Sequence, residues 1–381
     1  MRVLVFYDYF TPAFKAGGPI RSLDNLVQLS VNKMEYLIIT TNQDHDLYIL
    51  DVPVNQWTAY SERCQVAYLN QNSRNLQTIE KLIQDIQIDL IYINGIFSSF
   101  TTISPLRLAK KYSLPVLIAP RGMLQQGALS IKPFKKKIYL FLIKHLYLNR
   151  IKHLGWHATD EQEKKDILNY SSSYNKTWVV GNAPTFTPNF LPKTHKVDLP
   201  IRLVTISLIA PKKNHLWFIQ ILKNSNITTP LAYDIYGPAD QEYLSLLKQQ
   251  IKKLPKNITV NIYSAIKPSE VQRTLQNYHY FILPTKGENF GHAIFEAFNV
   301  GTPVIISPHT PWNGLQNKQA GWDIPLEENQ WQSTINHAIS LNQQEYQNLQ
   351  SGARKIAENY MKNVDLKSQY QTMFESASKC E

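Results

Sequence analysis

Short β-branched apolar runs alternate with amphipathic helical stretches twice along this chain, and a proline-bearing seam separates the two series. The first series places buried-strand candidates at 1–7 (MRVLVFY), 36–40 (YLIIT), 90–93 (LIYI) and 115–119 (PVLIA), with helical candidates at 20–30, 76–84 and 105–111. The second runs through 202–207 (RLVTIS), 232–236 (AYDIY), 258–262 (ITVNI), 280–283 (YFIL) and 303–306 (PVII), with helices at 215–222 and 239–251 and a helical tail over 344–378. Continuous apolar runs of this length read as strands buried on both faces. Parallel strands need crossover connections, so the alternation predicts an α/β chain of two Rossmann-like domains facing one another across a cleft. The expected division is a first domain over 1–184, a linker over 185–200, a second domain over 201–360, and a C-terminal helix over 361–381 packing back on the first. The linker, TFTPNFLPKTHKVDLP, carries three prolines and no helical period.

A chain of 381 residues suits about two domains. Hydrophobic residues at 43% against charged residues at 18% exclude the disordered and low-complexity classes. The net charge of +11 points to anionic partners: nucleic acid, acidic lipid or a phosphorylated small molecule. Two cysteines, Cys64 and Cys380, cannot make a disulfide framework and fit a reducing compartment. The opening MRVLVFYDYF is too short an apolar run for a signal peptide. The most lipid-like stretch, 138–148, is about half of the roughly 20 residues a span needs. The expected location is the cytoplasm, peripheral on the inner face of the cell membrane.

The stretch 286–301, KGENFGHAIFEAFNVG, carries the most chemistry. A strand precedes it, an apolar helical run over 293–298 follows, and Gly287 and Gly291 allow close backbone approach. A glycine turn opening a helix presents free N–H groups and a positive dipole end, which suits an anion. Glu288 lies before the helix and Glu296 two turns in, so both can reach one elongated polar ligand.

These two glutamates, with Asn289, Phe290 and Gly291, resemble the signature of family 4 glycosyltransferases of the GT-B fold. Gly17-Gly18-Pro19-Ile20-Arg21-Ser22, Pro120-Arg121-Gly122-Met123-Leu124, His157-Ala158-Thr159, Pro211-Lys212-Lys213-Asn214 and Thr310-Pro311-Trp312 are similar to a bacterial surface-polysaccharide subgroup of that family. The resemblance implies retaining transfer from a nucleotide diphosphate sugar, without a metal or other cofactor, to a glycan or lipid-linked acceptor. It implies that Glu296 takes the donor ribose hydroxyls and Glu288 the transferred sugar. The backbone of Asn289, Phe290 and Gly291 would hold the diphosphate, and Lys213 would neutralise it. A carboxylate accepts from vicinal hydroxyls, and a helix N-terminus stabilises a departing diphosphate. The family's usual arginine before that lysine is Leu208 here, and the loss of a bidentate phosphate donor must be made good by another cation or weaken donor binding.

In the first domain, Gly17 and Gly18 follow the first strand and can form a nest for the donor phosphate or the acceptor. Arg121 stands where many members have a histidine; since arginine does not act as a base at neutral pH, it reads as an anion or sugar-hydroxyl clamp. His157 reads as a sugar or acceptor contact, or equally as a satisfied core residue. Asp160 with Glu163 has the spacing of a helix capping box. Asp44-His45-Asp46 matches a metal-binding Asp-x-Asp pattern only formally, and no metal site is expected.

The segment 131–153 carries seven Lys or Arg and no acidic residue around an apolar helix, which suggests contact with an anionic membrane surface. Nothing resembles an RNA-binding platform, so no nucleic-acid partner is expected. Two other readings stand beside sugar transfer: a glycosyltransferase-like scaffold with weakened turnover, resting on Leu208, and a nucleotide-cofactor oxidoreductase. The latter needs Gly-x-Gly-x-x-Gly after the first strand, where the chain has only Gly17-Gly18.

Overall fold

The computed structural model describes residues 1–29, 34–130, 132–171, 175–188 and 200–379. The chain divides into two compact units, Met1–Ala183 with Asp365–Glu381, and Pro184–Val364. Most of the segment read as a linker, residues 189–199, lies outside the described residues, as does Cys380.

The first unit begins β1 (Arg2–Phe6), α1 (Gly18–Gln28), β2 (Glu35–Thr41), β3 (Thr58–Ser61), β4 (Cys64–Leu69), α2 (Leu76–Ile83) and β5 (Leu90–Asn94). It continues with α3 (Ser104–Tyr112), β6 (Val116–Ala119), α4 (Gln126–Leu129), α5 (Pro133–Leu146), β7 (Leu154–Ala158), α6 (Glu161–Tyr170) and β8 (Thr177–Val179). Eight strands form one sheet in the order β3-β4-β2-β1-β5-β6-β7-β8, parallel except for the β3–β4 pair. The chain winds outward from β1 through β2, then returns to lay β5 on the other flank of β1, so the direction reverses between β1 and β5. Leu4, Phe6, Ile91, Ile93, Ile118 and Trp156 are fully buried along these strands. Each such side chain contributes about 1.5–3 kcal/mol relative to exposure.

The second unit runs β9 (Ile201–Ile206), α7 (His215–Asn224), β10 (Leu231–Tyr236), α8 (Gln241–Ile251), β11 (Ile258–Tyr263), α9 (Pro268–Leu275) and β12 (Tyr280–Leu283). It ends with α10 (His292–Asn299), β13 (Val304–Ile306), β14 (Gly321–Asp323), α11 (Glu328–Ser340) and α12 (Gln343–Asn363). Its six-stranded sheet has the order β11-β10-β9-β12-β13-β14, with every pair parallel. Here the winding reverses between β9 and β12. Open α/β sheets bind ligands outside the carboxyl ends of the strands at such a reversal.

The single helical tail expected over 344–378 is two helices. Val364 is extended, with φ −114° and ψ 102°. Asp365 then accepts the Ser368 N–H at 3.0 Å and starts α13 (Leu366–Lys379). That helix lies against β5 and β6 of the first unit. Phe374 packs edge-on to Tyr92 at 5.2 Å, and Tyr370 donates to the Gly181 carbonyl at 3.1 Å. Strands β3, β8 and β14 escape sequence reading because they are three or four residues long and half-buried at most positions.

Candidate functional site

In the second unit, the loops leaving β9 and β12 are laced together. After β9 the chain makes one tight turn, Pro211–Lys213, and Asn214 adopts a left-handed conformation before α7 starts. After β12, the Lys286 N–H donates to the Lys212 carbonyl at 2.8 Å and the Glu288 N–H to the His309 carbonyl at 2.9 Å. Ser307 Oγ donates to the Thr285 carbonyl at 2.5 Å, and Trp312 Nε1 to the Phe290 carbonyl at 2.6 Å. The loop is therefore held by its backbone, which leaves the side chains of Lys212, Lys213 and Glu288 to define the charge. The ammonium of Lys213 hydrogen-bonds Glu288 Oε1 in an ion pair that is 18% and 13% exposed on its two sides.

Gly291 opens α10 with φ +76° and ψ +61°. A Cβ there would stand 2.8 Å from Ile294 Cδ1, so both the left-handed backbone and the Ile294 side chain favour glycine. Asn289 and Gly291 lie at the helix entrance. Phe290 turns inward, 5.3 Å from Trp312 and 5.7 Å from Tyr360. Its ring belongs to the core of the second unit. Glu296, one turn into α10, is 4% exposed.

Lys212, which the sequence alone reads as a solvated loop lysine, borders this site. Its side chain runs beside Gly287, with Nζ 3.8 Å from where a Cβ on that glycine would lie. Burial pushes its ammonium below the usual lysine range; Glu288 opposes that shift and Lys213 adds to it. Two ammonium groups thus gather around one carboxylate, an excess of positive charge suited to a diphosphate. The exposed Leu208, 40% accessible, stands on the same loop. The signal for Lys212 was the Lys212-Lys213 doublet beside the missing arginine, but only the fold brings it to Gly287.

In the first unit, Gly17 has φ +79° and ψ −136°, a conformation reserved for glycine, and precedes the Gly18-Pro19 start of α1. The loop before it is braced by the carboxylate of Asp44, which accepts from the N–H groups of Phe14 (3.0 Å), Lys15 (3.1 Å) and His45 (2.7 Å). Asp46 pairs with Lys15 at 2.5 Å.

Arg121 and His157 occupy a buried polar chain rather than an open face. Arg121 sits at φ +55° after β6. It donates from Nε to Asn94 Oδ1 at 3.0 Å, from Nη1 to Asn182 Oδ1 at 2.5 Å and from Nη2 to Tyr92 Oη at 2.8 Å. Tyr370 of α13 also hydrogen-bonds it. Tyr92 Oη lies 2.7 Å from His157 Nδ1, and His157 Nε2 lies 2.8 Å from the Val180 carbonyl. A carbonyl only accepts, so Nε2 carries the proton and Nδ1 accepts from Tyr92. Burial, with the Arg121 charge adding to it, pushes His157 down to about 3. The anion or sugar clamp expected of Arg121 thus gives way to a structural hub, because its donors are engaged within the unit. Of the two readings of His157, the geometry favours the satisfied core residue.

Asp160 caps the N–H of Glu163 at 2.7 Å. The Glu163 side chain reaches beyond this cap. Fully buried, it accepts from the Gly122 N–H at 2.5 Å and the Thr159 N–H at 2.8 Å, tying the turn after β6 to the start of α6.

The second unit thus brings a helix entrance, a lysine pair and two glutamates to the sheet reversal. Residues 188–356 match the family model of glycosyl transferases, group 1. The match spans most of the second unit and just under half of the chain. No curated protein matches by sequence. Among solved structures, the chain is similar to sucrose-phosphate synthase from Thermosynechococcus elongatus, at 15% identity, full coverage of both chains and a TM-score of 0.73. It is similar to the Anabaena protein HepE in complex with UDP and glucose, at 17% identity, full coverage of both chains and a TM-score of 0.69. WaaG, a glycosyltransferase involved in lipopolysaccharide biosynthesis, matches at 13% identity over 98% of both chains with a TM-score of 0.63. These likenesses show the fold, the two-sheet α/β architecture of GT-B glycosyltransferases. The group 1 match falls on the unit that holds Lys212, Lys213, Glu288 and Glu296.

Proposed function

We propose that the chain is a retaining glycosyltransferase that moves a sugar from a nucleotide diphosphate sugar to a glycan or lipid-linked acceptor, without a bound metal. The observation that carries this reading is the Lys213–Glu288 pair at the sheet reversal of the second unit, beside the glycine turn that opens α10. The titles of similar structures name UDP, UDP-glucose and lipopolysaccharide biosynthesis, which supports a nucleotide sugar as donor and bacterial surface polysaccharide as the product class.

In this mechanism the α10 entrance and the ammonium groups of Lys213 and Lys212 hold the donor diphosphate. Charge builds on the leaving diphosphate as the glycosidic bond breaks, and fixed cations and N–H groups stabilise it without reorganising. Glu296 accepts from the ribose hydroxyls, and Glu288, released from Lys213 as the diphosphate takes its place, accepts from hydroxyls of the transferred sugar. Lys212 supplies the second cation that Leu208 does not. The first unit, through the Gly17-Gly18 turn, receives the acceptor. Arg121 and His157 act as positioning residues behind it. The enzyme works in the cytoplasm on the inner face of the membrane, where 131–153 makes contact; residue 131 itself lies outside the described residues.

The deciding experiment is a thermal-shift panel of UDP, GDP, CDP and their sugar conjugates with a chelator present. A ligand at 100 times its dissociation constant stabilises by about 2.7 kcal/mol, so a donor moves the melting point clearly. Silence across the panel removes the donor site and leaves the scaffold reading. A shift that appears only with added Mn²⁺ removes the metal-free mechanism. The anomeric configuration of the product, followed by proton NMR, tests retention.

A further inference from the structure

At the carboxyl end of the first sheet, beside the reversal between β1 and β5, three side chains are fixed in place with bonding capacity left over. Asp8 follows β1. Ser98 Oγ and Thr101 Oγ1 donate to its Oδ1 at 2.7 and 2.9 Å, and Thr41 Oγ1 donates to its carbonyl at 2.7 Å. The side chain is half-buried, and no group among the described residues donates to its Oδ2. Arg74 follows β4. Its Nη2 donates to Gln43 Oε1 at 2.6 Å and its Nε to the Leu69 carbonyl at 3.3 Å, while Nη1 has no partner among the described residues. The half-buried Tyr9 ring tilts against His45 at 6.1 Å, and its hydroxyl has no partner among the described residues either.

The three groups sense one another. Burial pushes the Tyr9 phenol up, the Asp8 and Asp44 charges add to that, and Arg74 opposes it. Burial lowers the Arg74 guanidinium, while Asp8 and Tyr9 hold it up. Asp8 and Arg74 nevertheless form no ion pair, so a carboxylate oxygen and a guanidinium nitrogen stand near each other with a gap between them. A phosphate would meet Arg74 but face the Asp8 carboxylate, and a cation would meet Asp8 but face Arg74. A carboxylate only accepts and a guanidinium only donates, so the pair suits a group that does both, the hydroxyl. The negative face of an aromatic ring suits the C–H face of a sugar.

We propose that Asp8, Arg74 and Tyr9 form a subsite for a neutral sugar ring of the acceptor. Asp8 Oδ2 accepts from one hydroxyl of the ring, Arg74 Nη1 donates to a neighbouring one, and the C–H face of the ring rests on Tyr9. This subsite rests on the transferase reading and narrows its acceptor to one that presents a neutral, hydroxyl-rich sugar in place of a phosphate or a uronic acid. A free glycan and the sugar head of a lipid-linked carrier share that chemistry. A site whose half-buried polar groups are built to bond hydroxyls discriminates against rings that lack them, since those groups are then left unpaired.

The test is saturation-transfer NMR titration of the full chain with the methyl glycosides of glucose, galactose and mannose, and with methyl glucuronide as the anionic counterpart. At least one neutral glycoside binds the parent and is preferred to the glucuronide. Asp8→Asn keeps an oxygen for Ser98 and Thr101, so the turn stays in place. It weakens the neutral glycoside about tenfold, the scale of a hydrogen bond to a charged group. It also narrows or reverses the preference over the glucuronide, because the repelling charge is gone. Tyr9→Leu weakens the neutral glycoside comparably, and both variants keep the parent's donor-induced thermal shift. Methyl and octyl glycosides of the preferred sugar bind alike, as recognition of the ring requires. The subsite is rejected if no neutral glycoside binds the parent, or if Asp8→Asn weakens neutral and anionic glycosides equally, as a structural role would. It is also rejected if Glu288→Ala weakens the glycoside as much as Asp8→Asn does, which would put the sugar at the donor site, or if binding requires the octyl chain, which would put recognition in the lipid. A failed donor shift with Asp8-dependent glycoside binding intact would overturn the transferase reading alone.

Discussion

The ammonium of Lys213 and the carboxylate of Glu288, 75 residues apart in sequence, pair across the ends of the adjacent strands β9 and β12. The pair is mostly shielded and waits at the place a diphosphate is proposed to take. Lys213→Ala and Glu288→Ala are each expected to lower sugar transfer by about 10²–10³-fold, the scale of losing one preorganised charge-stabilising group. Because both side chains retain some solvent access, melting temperature should move by only a few degrees. Steady-state rates and melting curves check this; activity within a few-fold of the parent for both variants rejects the site.

Lys212 tests how the chain manages without an arginine at Leu208. Lys212→Gln is expected to weaken nucleotide diphosphate binding about tenfold and to leave the nucleoside, which has no phosphates, unaffected. Leu208→Arg, at an exposed position, should restore affinity in the Lys212→Gln background, since a planar donor can grip the phosphates bidentately. Calorimetric titration with the diphosphate and the nucleoside distinguishes the two. Equal losses for both ligands would mean that Lys212 shapes the loop and not the charge.

Gly291→Ala should destabilise the second unit by about 1–2 kcal/mol for the left-handed backbone, with more from the Ile294 contact. Gly17→Ala meets nothing within 4 Å of its added Cβ, but at φ +79° and ψ −136° the new residue enters backbone space essentially closed to L-residues, at about 1–3 kcal/mol. Differential scanning calorimetry should therefore show a loss for both variants, in the unit that carries each. No loss for Gly17→Ala would mean that its turn relaxes into another conformation.

Acid should destabilise both units through buried neutral histidines. His157 is pushed down to about 3 and His215 to about 4, each chiefly by burial, against an unfolded value near 6.5. Unfolding lets them take up protons below pH 6.5, so their contribution is complete above that pH and lost as pH falls toward 4. The loss is about 1.4 kcal/mol per pH unit per histidine. Urea midpoints at pH 7 and pH 5 measure it, and His157→Gln should remove the first unit's share. An unchanged pH dependence in that variant would show His157 already charged in the folded state.

Most of the parallel strands were legible because β1, β2, β5, β6 and the five runs of the second series are continuous apolar stretches, whereas β4 was not read, its run being broken by Gln65. Short edge strands carry no such record: β3 alternates half-buried and exposed residues, and β8 is three residues long. The glycine turn before α10 was legible from Gly291 and the glutamates around it. The quiet roles of Phe290, Arg121 and Glu163 were not, because residue type states what a side chain can bond and never which partner is near.

Local chemistry in the chain was enough to set the α/β class, the two series of strands and the anion-ready entrance of α10, since hydrophobic period and glycine placement act over a few residues. Tertiary packing alone decided that Arg121 spends its donors on Asn94, Asn182 and Tyr92, and that Lys212 slips past Gly287 toward Glu288. It also placed α13 on the sheet of the first unit. Those outcomes depend on which strand ends the crossovers bring together, and a hydrogen bond or an ion pair exists only where two groups 30 or 75 residues apart come within about 3 Å of each other.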